Sequence, residues 1–517
     1  METTTDAGAT QGLTQAIQQV LPALEQFLQF EDEDRAARDL SQWRAALDRP
    51  LPEAGVGAEA TLRVLSEVVI PHGLRTGAPG FAGWVTTMPT VVPAVAGFSA
   101  SLAGPQRWWI QPFNLLEQVA LEWLKQLLGI PASYQGTFNS GGSIANLIAL
   151  GAARQWACER RGVDPARDGL AAIPKPRFYA SNQVHHVVHR AAGVLGLGRR
   201  AVVELPCDKD FRLEVGALRE RLRRDAADGC TPIAVIANAG TVNTGAIDPV
   251  REILQVCREQ GVWLHVDGAY GGFGVLDPAV APRFDGLAEA DSIAVDPHKW
   301  LAVPLGCGST FVRDREVLGR AFTLEPAEYL ERVGGPAGSG SSQFEDLGHP
   351  LDFNLEQSAR SRGATVWAAL MEMGAAGMRA RVTRHNAFAR RLEARVRAST
   401  DLEMVAPVTL SICCFRFAPP ELRRSEGTAP VLNDLNREIL RRLHQEHHHI
   451  PSGTEIDGNF AIRPCYINPR TTQEDVDGLA DAVERIGADV WQSVAGRQPG
   501  PKGSTPARAP GAAGRGR

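Results

Sequence analysis

The middle of the chain alternates between short apolar runs and amphipathic stretches, and this alternation restricts the folds that the chain can adopt. Helix-like segments such as EVGALRERLRRDAAD and DPVREILQVCREQG separate several of the apolar runs. The apolar runs are RFYAS, AVVEL, IAVIANAG, VWLHVD, SIAVD and STFVRD. Strands that alternate with helices at this pace predict an α/β fold, with a mostly parallel sheet and helices on both faces.

The segments on either side of this region predict further units. The apolar spacing in LTQAIQQVLPALEQFLQF is that of an amphipathic helix, so residues 13–85 are predicted to form an N-terminal helical segment. Residues 86–370 would form the large domain, and residues 371–495, with long helices and short apolar runs, a smaller C-terminal α+β domain. Residues 1–12 and 496–517 are predicted to be disordered, because they cannot bury enough apolar surface.

Composition and charge argue against several classes of protein. The chain is 44% hydrophobic and 22% charged, with a net charge of -5, which is typical of a globular protein and gives no reason to expect nucleic acid. No secretory signal is expected at the start, and no apolar run approaches the ~20 residues that cross a bilayer. The eight scattered cysteines favour reduced thiols over a disulfide framework or a zinc site. We therefore expect a cytoplasmic enzyme with no metal, nucleic-acid or membrane partner.

Lys299 stands in an unusual setting for a lysine. In DSIAVDPHKWLAVP it lies between a predicted buried strand, a tryptophan and a second apolar run. A lysine that must react as an amine needs such a setting, because desolvation disfavours the ammonium form. Asp267 ends another apolar run about one strand–helix–strand unit earlier. At that position a carboxylate could bind a metal, serve as a base or pair with a buried cation.

Two further motifs precede these residues at predicted strand ends. Gly141, Gly142 and Ser143 open an apolar helical pattern, and such a loop presents backbone N–H groups to a phosphate. His185, in ASNQVHHVVHRA, follows a strand. Each motif alone would also fit a helix cap or a packing residue. Together with Asp267 and Lys299, however, they provide the phosphate cradle, the flat cover, the carboxylate and the lysine that pyridoxal 5'-phosphate (PLP) requires.

These residues also resemble a known family. SGGSIANLIAL, NQVHH, HVDGAYGG and DPHKW are similar to motifs of the group II PLP-dependent amino acid decarboxylases, which include aromatic-L-amino-acid, tyrosine, glutamate and cysteine-sulfinate decarboxylases. The resemblance extends from about Pro50 to about Gly487. It implies aminotransferase fold type I, with PLP bound in the large domain. It also implies a homodimer in which residues 13–85 wrap around the partner and the active sites lie at the interface.

The resemblance implies roles for individual residues around the cofactor. Lys299 would form the imine with the PLP aldehyde, Asp267 would bind the pyridine nitrogen, and His185 would stack on the ring. Gly142 and Ser143 would hold the phosphate. The remaining cofactor contacts implied by the resemblance are Ala269 beneath the ring, and Thr241 and His298 near the phosphate.

The segments that would bind the substrate's side chain are harder to interpret. Trp84 and Thr86 occupy positions similar to the family's side-chain pocket, and Arg107 and Trp108 lie in a segment that reaches across the dimer interface in the family. The tryptophans favour an aromatic or bulky apolar amino acid, although they would fit core or interface packing equally well. Arg107 leaves open an acidic substrate such as glutamate, aspartate or cysteine sulfinate.

The chain departs from the family in the loop that follows the lysine strand. Family decarboxylases usually carry a tyrosine there that is thought to protonate Cα, whereas this chain has no tyrosine between Tyr329 and Tyr466. A phenylalanine in its place goes with aldehyde synthases in the family, and the loop contains Phe344 and Phe353. His349 could supply the proton instead, because an imidazole can act as a general acid near neutral pH. An amine product and an aldehyde product with ammonia and peroxide both remain open.

Three other interpretations remain. A PLP-binding protein without turnover would need the same cofactor residues. A nicotinamide enzyme is suggested by GVLGLGRR, although its G-x-x-G-x-G spacing differs from the dinucleotide-binding G-x-G-x-x-G. HQEHHHIP could bind a metal, but a solvated cluster at a helix end explains it better.

Overall fold

The structure, a computed structural model, describes residues 12–30, 40–104, 111–322, 353–356, 358–425 and 427–495. The α-helices in this part are α1 (Leu13–Gln29), α2 (Leu40–Leu47), α3 (Ala58–Val64), α4 (Val91–Ala103), α5 (Gln111–Leu128), α6 (Gly142–Glu159), α7 (Val187–Val194), α8 (Val215–Ala227), α9 (Val250–Gln260), α10 (Pro297–Trp300), α11 (Arg315–Phe322), α12 (Gly363–Ala398), α13 (Pro420–Arg423), α14 (Ala429–Glu446) and α15 (Gln473–Ala495). The strands are β1 (Phe81–Ala82), β2 (Gln135–Asn139), β3 (Pro176–Ser181), β4 (Val202–Leu205), β5 (Thr231–Asn238), β6 (Trp263–Asp267), β7 (Ser292–Val295), β8 (Gly308–Val312), β9 (Leu402–Met404), β10 (Phe415–Phe417), β11 (Ile450–Ile456) and β12 (Asn459–Arg463).

Seven strands form the main sheet, in the order β2-β8-β7-β6-β5-β3-β4. The pairs β3–β4, β3–β5, β5–β6 and β6–β7 are parallel. Strand β8 pairs antiparallel with both β7 and β2. Strand β2 therefore points in the same direction as β7, so every strand of this sheet except β8 ends at the same edge. The predicted mostly parallel sheet is confirmed.

Both faces of the main sheet are covered by helices, as the apolar runs predict. Along β5, Val235 and Ala237 belong to one buried cluster, which also contains residues of α5 and α9. The alternate residues Ala234 and Ile236 belong to a second buried cluster, with residues of α6 and α7. A strand that is buried on both faces has no polar side to alternate with, which explains why IAVIANAG is an almost continuous apolar run.

A second sheet of five strands, in the order β1-β11-β12-β10-β9, belongs to the C-terminal part of the chain. It packs with α14 and α15 around a separate apolar cluster. Strand β1 pairs parallel with β11, so the N-terminal segment contributes an edge strand to this sheet. Helix α12 is interrupted at Gly374, where φ is 67° and ψ is 170°, close to the predicted domain boundary at residue 371.

The described residues also contain the cysteines and the histidine-rich stretch. All eight cysteines are free, and every one except Cys207 is buried. No group of three or more His, Cys, Asp and Glu residues in the described part of the chain could hold a metal ion. In HQEHHHIP, His444 bonds through Nε2 to the carbonyl of Pro451 at 2.7 Å. Among the described helices, none combines the length and the apolar character needed to cross a membrane.

Candidate active site

A cavity of about 530 Å³ opens at the edge of the main sheet where the parallel strands end. Asn238, Asp267 and Ala294 pair in register across β5, β6 and β7, which brings the ends of these strands level. Ligands of open α/β sheets bind at this edge. Eight residues proposed from the sequence line this one cavity, and they are Gly142, Ser143, His185, Thr241, Asp267, Ala269, His298 and Lys299.

Lys299 enters the cavity from α10, the short helix that follows β7. Its Nζ lies 3.0 Å from a carboxylate oxygen of Asp296, and 18% of its side chain is exposed. The sequence suggested only apolar surroundings for this lysine, whereas the structure places a carboxylate within hydrogen-bond distance of its amine. Trp300 is fully buried and stacks on Tyr270 at 5.9 Å between ring centroids, so it anchors the helix that carries Lys299.

Asp267 is the last residue of β6, and its side chain is buried at the cavity wall. One carboxylate oxygen accepts a hydrogen bond from the backbone N–H of Ala269 at 3.1 Å. This bond fixes the orientation of the carboxylate. A buried carboxylate in a fixed orientation at the wall of a cavity can form a charge-assisted hydrogen bond with a ligand cation.

The amino end of α6 forms another part of the wall. The helix is 18 residues long and begins at Gly142, and Gly141 precedes it with φ of 123°. The side-chain oxygen of Asn139 accepts a hydrogen bond from the Gly141 N–H at 3.1 Å, which holds the loop. The first N–H groups of a helix have no partner within it and lie at the positive end of its dipole. Gly142 and Ser143 line the cavity at this end, so the loop can bind an anionic group.

The two histidines of the cavity have defined proton positions. The Nδ1 atom of His185 accepts a hydrogen bond from the backbone N–H of Val187 at 3.4 Å, so the neutral ring carries its proton on Nε2. The Nδ1 atom of His298 must donate to the carbonyl of Cys307, 2.7 Å away, because a carbonyl oxygen can only accept. Burial lowers the pKa of both imidazoles, which favours the neutral ring in each case.

A buried chain of hydrogen bonds behind the cavity was not predicted from the sequence. Asn146 of α6 donates to the carbonyl of Gly142 at 2.8 Å and bonds through its oxygen to Nε2 of His265 at 2.9 Å. Nδ1 of His265 bonds to Ser292 at 2.9 Å. Burial lowers the pKa of His265 to about 4, so its ring is neutral at pH 7. These hydrogen bonds connect the amino end of α6 to β6 and β7. Their only signal in the sequence is a polar residue within otherwise apolar runs.

Thr241 lies in the loop after β5, and its side chain is buried there. Its hydroxyl bonds to that of Thr244 at 2.9 Å and accepts the backbone N–H of Ala246 at 3.1 Å. These bonds fix the loop against the cavity. Thr241 is therefore a residue of the cavity wall whose hydroxyl is held by its own loop.

The set of donors fits PLP. An amine for the aldehyde, a carboxylate for the ring nitrogen and a helix amino end for the phosphate all face one cavity. A Cβ atom added at Gly142 would lie 2.7 Å from the Asp296 carboxylate and 3.2 Å from the Cβ of Ala269. Glycine therefore keeps this part of the cavity open.

Some of the predicted substrate residues do not reach the cavity wall. Trp84 and Thr86 are absent from the described lining, whereas Val85 between them is part of it. Trp84 has φ of 49° and its side chain is 58% exposed. Its backbone is held by a hydrogen bond of 2.8 Å from Arg463 to its carbonyl. This backbone conformation leaves the indole on the surface of the chain.

The remaining sequence candidates belong to segments that the structure largely leaves out. Arg107, Trp108, Phe344 and His349 lie outside the described residues. Phe353 is described, and it is buried in the apolar cluster of α6 and α7, with the guanidinium of Arg315 at 5.3 Å from its ring centroid. Phe353 thus packs in the core and is not part of the described cavity wall.

Comparison with known proteins gives consistent matches. The family described as "Pyridoxal-dependent decarboxylase conserved domain" matches residues 96–418. An aromatic-L-amino-acid decarboxylase from Bacillus atrophaeus is 32% identical over 450 residues, 86% of this chain and 89% of the relative. An L-2,4-diaminobutyrate decarboxylase from Rhizobium meliloti (strain 1021) is 30% identical over 438 residues, 84% of this chain and 83% of the relative. The crystal structure of Catharanthus roseus tryptophan decarboxylase in complex with L-tryptophan shares the fold, with a TM-score of 0.81 at 22% identity over 95% of this chain and 99% of that one.

Proposed function

The chain belongs to the pyridoxal-dependent decarboxylases, and we propose that its substrate is an aromatic L-amino acid. As a member of that family it is a carboxy-lyase that uses PLP to remove CO2 from an amino acid. When bound, PLP supplies a ring that accepts the electrons left at Cα when the carboxylate departs. The residues of this chain would hold that ring, hold a proton at its nitrogen, and orient the substrate.

We assign the holding roles to residues that share the cavity. Lys299 would bond covalently to the aldehyde, and the N–H groups at Gly142 and Ser143 would bind the phosphate. The Asp267 carboxylate would hold a proton at the ring nitrogen, and His185 would cover one face of the ring. The position of all these groups around one cavity supports these roles.

The apolar lining of the cavity is the observation that carries the substrate proposal. Its larger aliphatic side chains are those of Val85, Ile144, Val187, Val242 and Leu305. An aromatic side chain gains free energy by burial against such groups, at roughly 25 cal/mol per Å² of apolar surface. A carboxylate side chain would instead need a cation in the same place.

In the described part of the chain, one arginine close to the cavity already has backbone partners. No arginine is among the described residues that line the cavity. Arg463 lies close by, but its guanidinium donates to the backbone carbonyls of Trp84, Val242 and Asn243. These bonds tie the Trp84 segment and the loop after β5 to the end of β12, and they leave the guanidinium poorly placed to receive an acidic substrate. The resemblance to the Bacillus atrophaeus enzyme supports the same choice.

A substrate panel tests this proposal. Purified protein with PLP would be incubated with L-tryptophan, L-tyrosine and L-phenylalanine, and with L-glutamate, L-aspartate and L-2,4-diaminobutyrate. We expect kcat/KM for the best aromatic substrate to exceed that for the acidic and diamino substrates by about 100-fold. An aromatic ring gains free energy by burial in the apolar cavity, whereas a charged side chain would be buried there without a partner. Faster turnover of an acidic or diamino substrate would contradict the proposal, and Lys299→Ala gives the background rate.

The same assay decides between the two possible products. Amine, aldehyde and peroxide would be measured in each reaction by mass spectrometry and a coupled oxidase assay. We propose that the amine is the main product, released with CO2. If aldehyde and peroxide form in the same amounts as CO2, the reaction is instead the oxidative deamination that the missing loop tyrosine leaves open.

We also propose that the chain acts as a homodimer. Two helices of the N-terminal part expose rows of apolar side chains, each row on one face of its helix. The exposed residues are Leu13, Ile17, Leu21, Leu24 and Leu28 on α1, and Val91, Val95, Phe98 and Leu102 on α4. Apolar patches of this size mark interaction sites, and a second copy of the chain would cover them.

A further inference from the structure

The carboxylate of Asp296 lines the cavity, and the roles above do not use it. Asp296 follows β7 and precedes α10, and its side chain is 2% exposed. It occupies the N-cap position of α10, yet it makes no side-chain hydrogen bond to that helix. One oxygen, Oδ2, lies 3.0 Å from Nζ of Lys299, and the other, Oδ1, has no hydrogen-bond partner among the described residues.

The backbone around Asp296 is shaped to admit this carboxylate. A Cβ atom on Gly308 of β8 would lie 2.8 Å from Oδ1, and one on Gly142 would lie 2.7 Å from Oδ2. Both positions are glycine, so the carboxylate fits between two strands and the amino end of α6 without a clash. A buried carboxylate with an unsatisfied oxygen is costly unless a cation compensates it.

Lys299 is the cation within hydrogen-bond reach of Asp296 in the described part of the chain. His298 faces the same carboxylate, with Nε2 at 3.9 Å from Oδ2, but its Nδ1 carries the proton of the neutral ring. His185 and Cys307 are further titratable groups that interact with Asp296 electrostatically. Burial favours the uncharged form of both, since it lowers the pKa of His185 and raises the pKa of Cys307 to about 12.

We propose that Asp296 is the counter-ion of Lys299, and that it holds the lysine as an ammonium ion whenever the lysine is not bonded to the cofactor. This inference rests on the proposed role of Lys299. Asp296 is then a positioning residue that acts through Lys299: it keeps Nζ directed into the cavity and makes the amine slow to react. Release of Lys299 by a substrate amine would return it to this ion pair.

The chemistry of the lysine gives this ion pair a measurable consequence. The amine nitrogen attacks an aldehyde carbon, a C=N bond forms, and the aldehyde oxygen leaves as water. The attacking nitrogen needs a free electron pair, so the ammonium ion must first give its proton to water or buffer. Removing the counter-ion should therefore raise the fraction of reactive amine.

The test compares two aldehydes on the full-length chain after its cofactor has been removed. Absorbance would follow the rate at which PLP and pyridoxal, which lacks the phosphate, bond to wild type and Asp296→Asn at pH 7. We expect the variant to bond both aldehydes about ten- to hundredfold faster, the factor that corresponds to one charge-assisted hydrogen bond. Asp225→Asn removes another buried carboxylate, paired with Arg221 at 2.9 Å, and should stay close to wild type.

The two aldehydes separate this role from a simpler one. Because the carboxylate adjoins the amino end of α6, removing its charge could merely improve phosphate binding. An increase for PLP alone would therefore overturn the proposal, as would unchanged or slower rates for both aldehydes. If Asp296→Asn does not fold, as judged by circular dichroism, Asp296→Ser must show the same acceleration. Turnover by the wild type tests the proposed function separately, so equal rates with intact turnover would reject only the role of Asp296.

Discussion

Lys299 and Asp267 reach the same cavity from neighbouring strands, but the chain holds them in different ways. Asp267 ends β6, and a backbone N–H from its own turn orients it. Lys299 is held by a side chain, the carboxylate of Asp296, three residues before it. The first arrangement is rigid, whereas the second can break when the lysine forms a covalent bond. This difference agrees with the proposed roles, in which Asp267 is a fixed partner for the ring nitrogen and Lys299 must move.

The role proposed for Asp267 predicts the effect of removing its charge. We expect Asp267→Asn to lower kcat by about ten- to hundredfold, because the proposed charge-assisted hydrogen bond to this carboxylate would be worth ~1.5–3 kcal/mol and would matter most when charge develops on the ring. Asp277→Asn, at a buried carboxylate paired with Arg390 at 3.3 Å, serves as the control. Near-wild-type kcat in Asp267→Asn would reject the role, and steady-state kinetics provides the measurement.

Eight residues of the cavity wall were proposed from the sequence, but Asp296 was missed. The sequence reveals Lys299, Asp267 and His185 because each follows a predicted strand, and strand ends of a parallel sheet meet at one edge. Asp296 also follows a strand, but an aspartate before a proline is common in turns and helix caps. Its spacing of three from Lys299 on a helical turn is the signal that could have identified it.

At the scale of elements, the amino end of α6 should be sensitive to a single methyl group. Gly142→Ala would place a Cβ 2.7 Å from the Asp296 carboxylate, so we expect the affinity for PLP to fall by about tenfold or more, since overpacking costs ~1–3 kcal/mol. Gly216→Ala is a matched control, because it adds the same methyl near the start of α8, where nothing lies within 4 Å. Titration of each variant with PLP measures the difference, and equal affinities would contradict this packing argument.

The elements differ in how well the sequence predicts them. Strands β3 to β8 were predicted because their sequences are short apolar or β-branched runs, several of them separated by helix-like stretches. Strand β2, QGTFN, was not, since its glycine and polar residues do not resemble a buried strand, although all five residues are buried. Strand β1 has only two residues, and its pairing with β11 depends on the tertiary fold. The interruption of α12 at Gly374 does have a local signal, because glycine adopts the positive φ of 67° found there without steric cost.

At the scale of the whole molecule, the exposed face of α4 predicts a defined oligomeric state. We expect the wild type to run at twice the chain mass of 55.6 kDa in light scattering coupled to gel filtration. Phe98→Asp would place a charge in the apolar row and should shift the protein towards the monomer. Val194→Asp, at a residue that is 73% exposed on α7, should leave the dimer intact. A monomeric wild type, or a Phe98→Asp variant that remains dimeric, would contradict the proposal.

The central claim for the whole molecule is that one lysine carries the cofactor. The most direct measurement is to reduce the purified protein with borohydride, digest it, and locate the pyridoxyl group by mass spectrometry. Our account predicts that the pyridoxyl mass lies on the peptide that contains Lys299, and that this mass is lost from the digest of Lys299→Ala. A pyridoxyl group on another lysine, or none on the wild-type protein loaded with PLP, would contradict it.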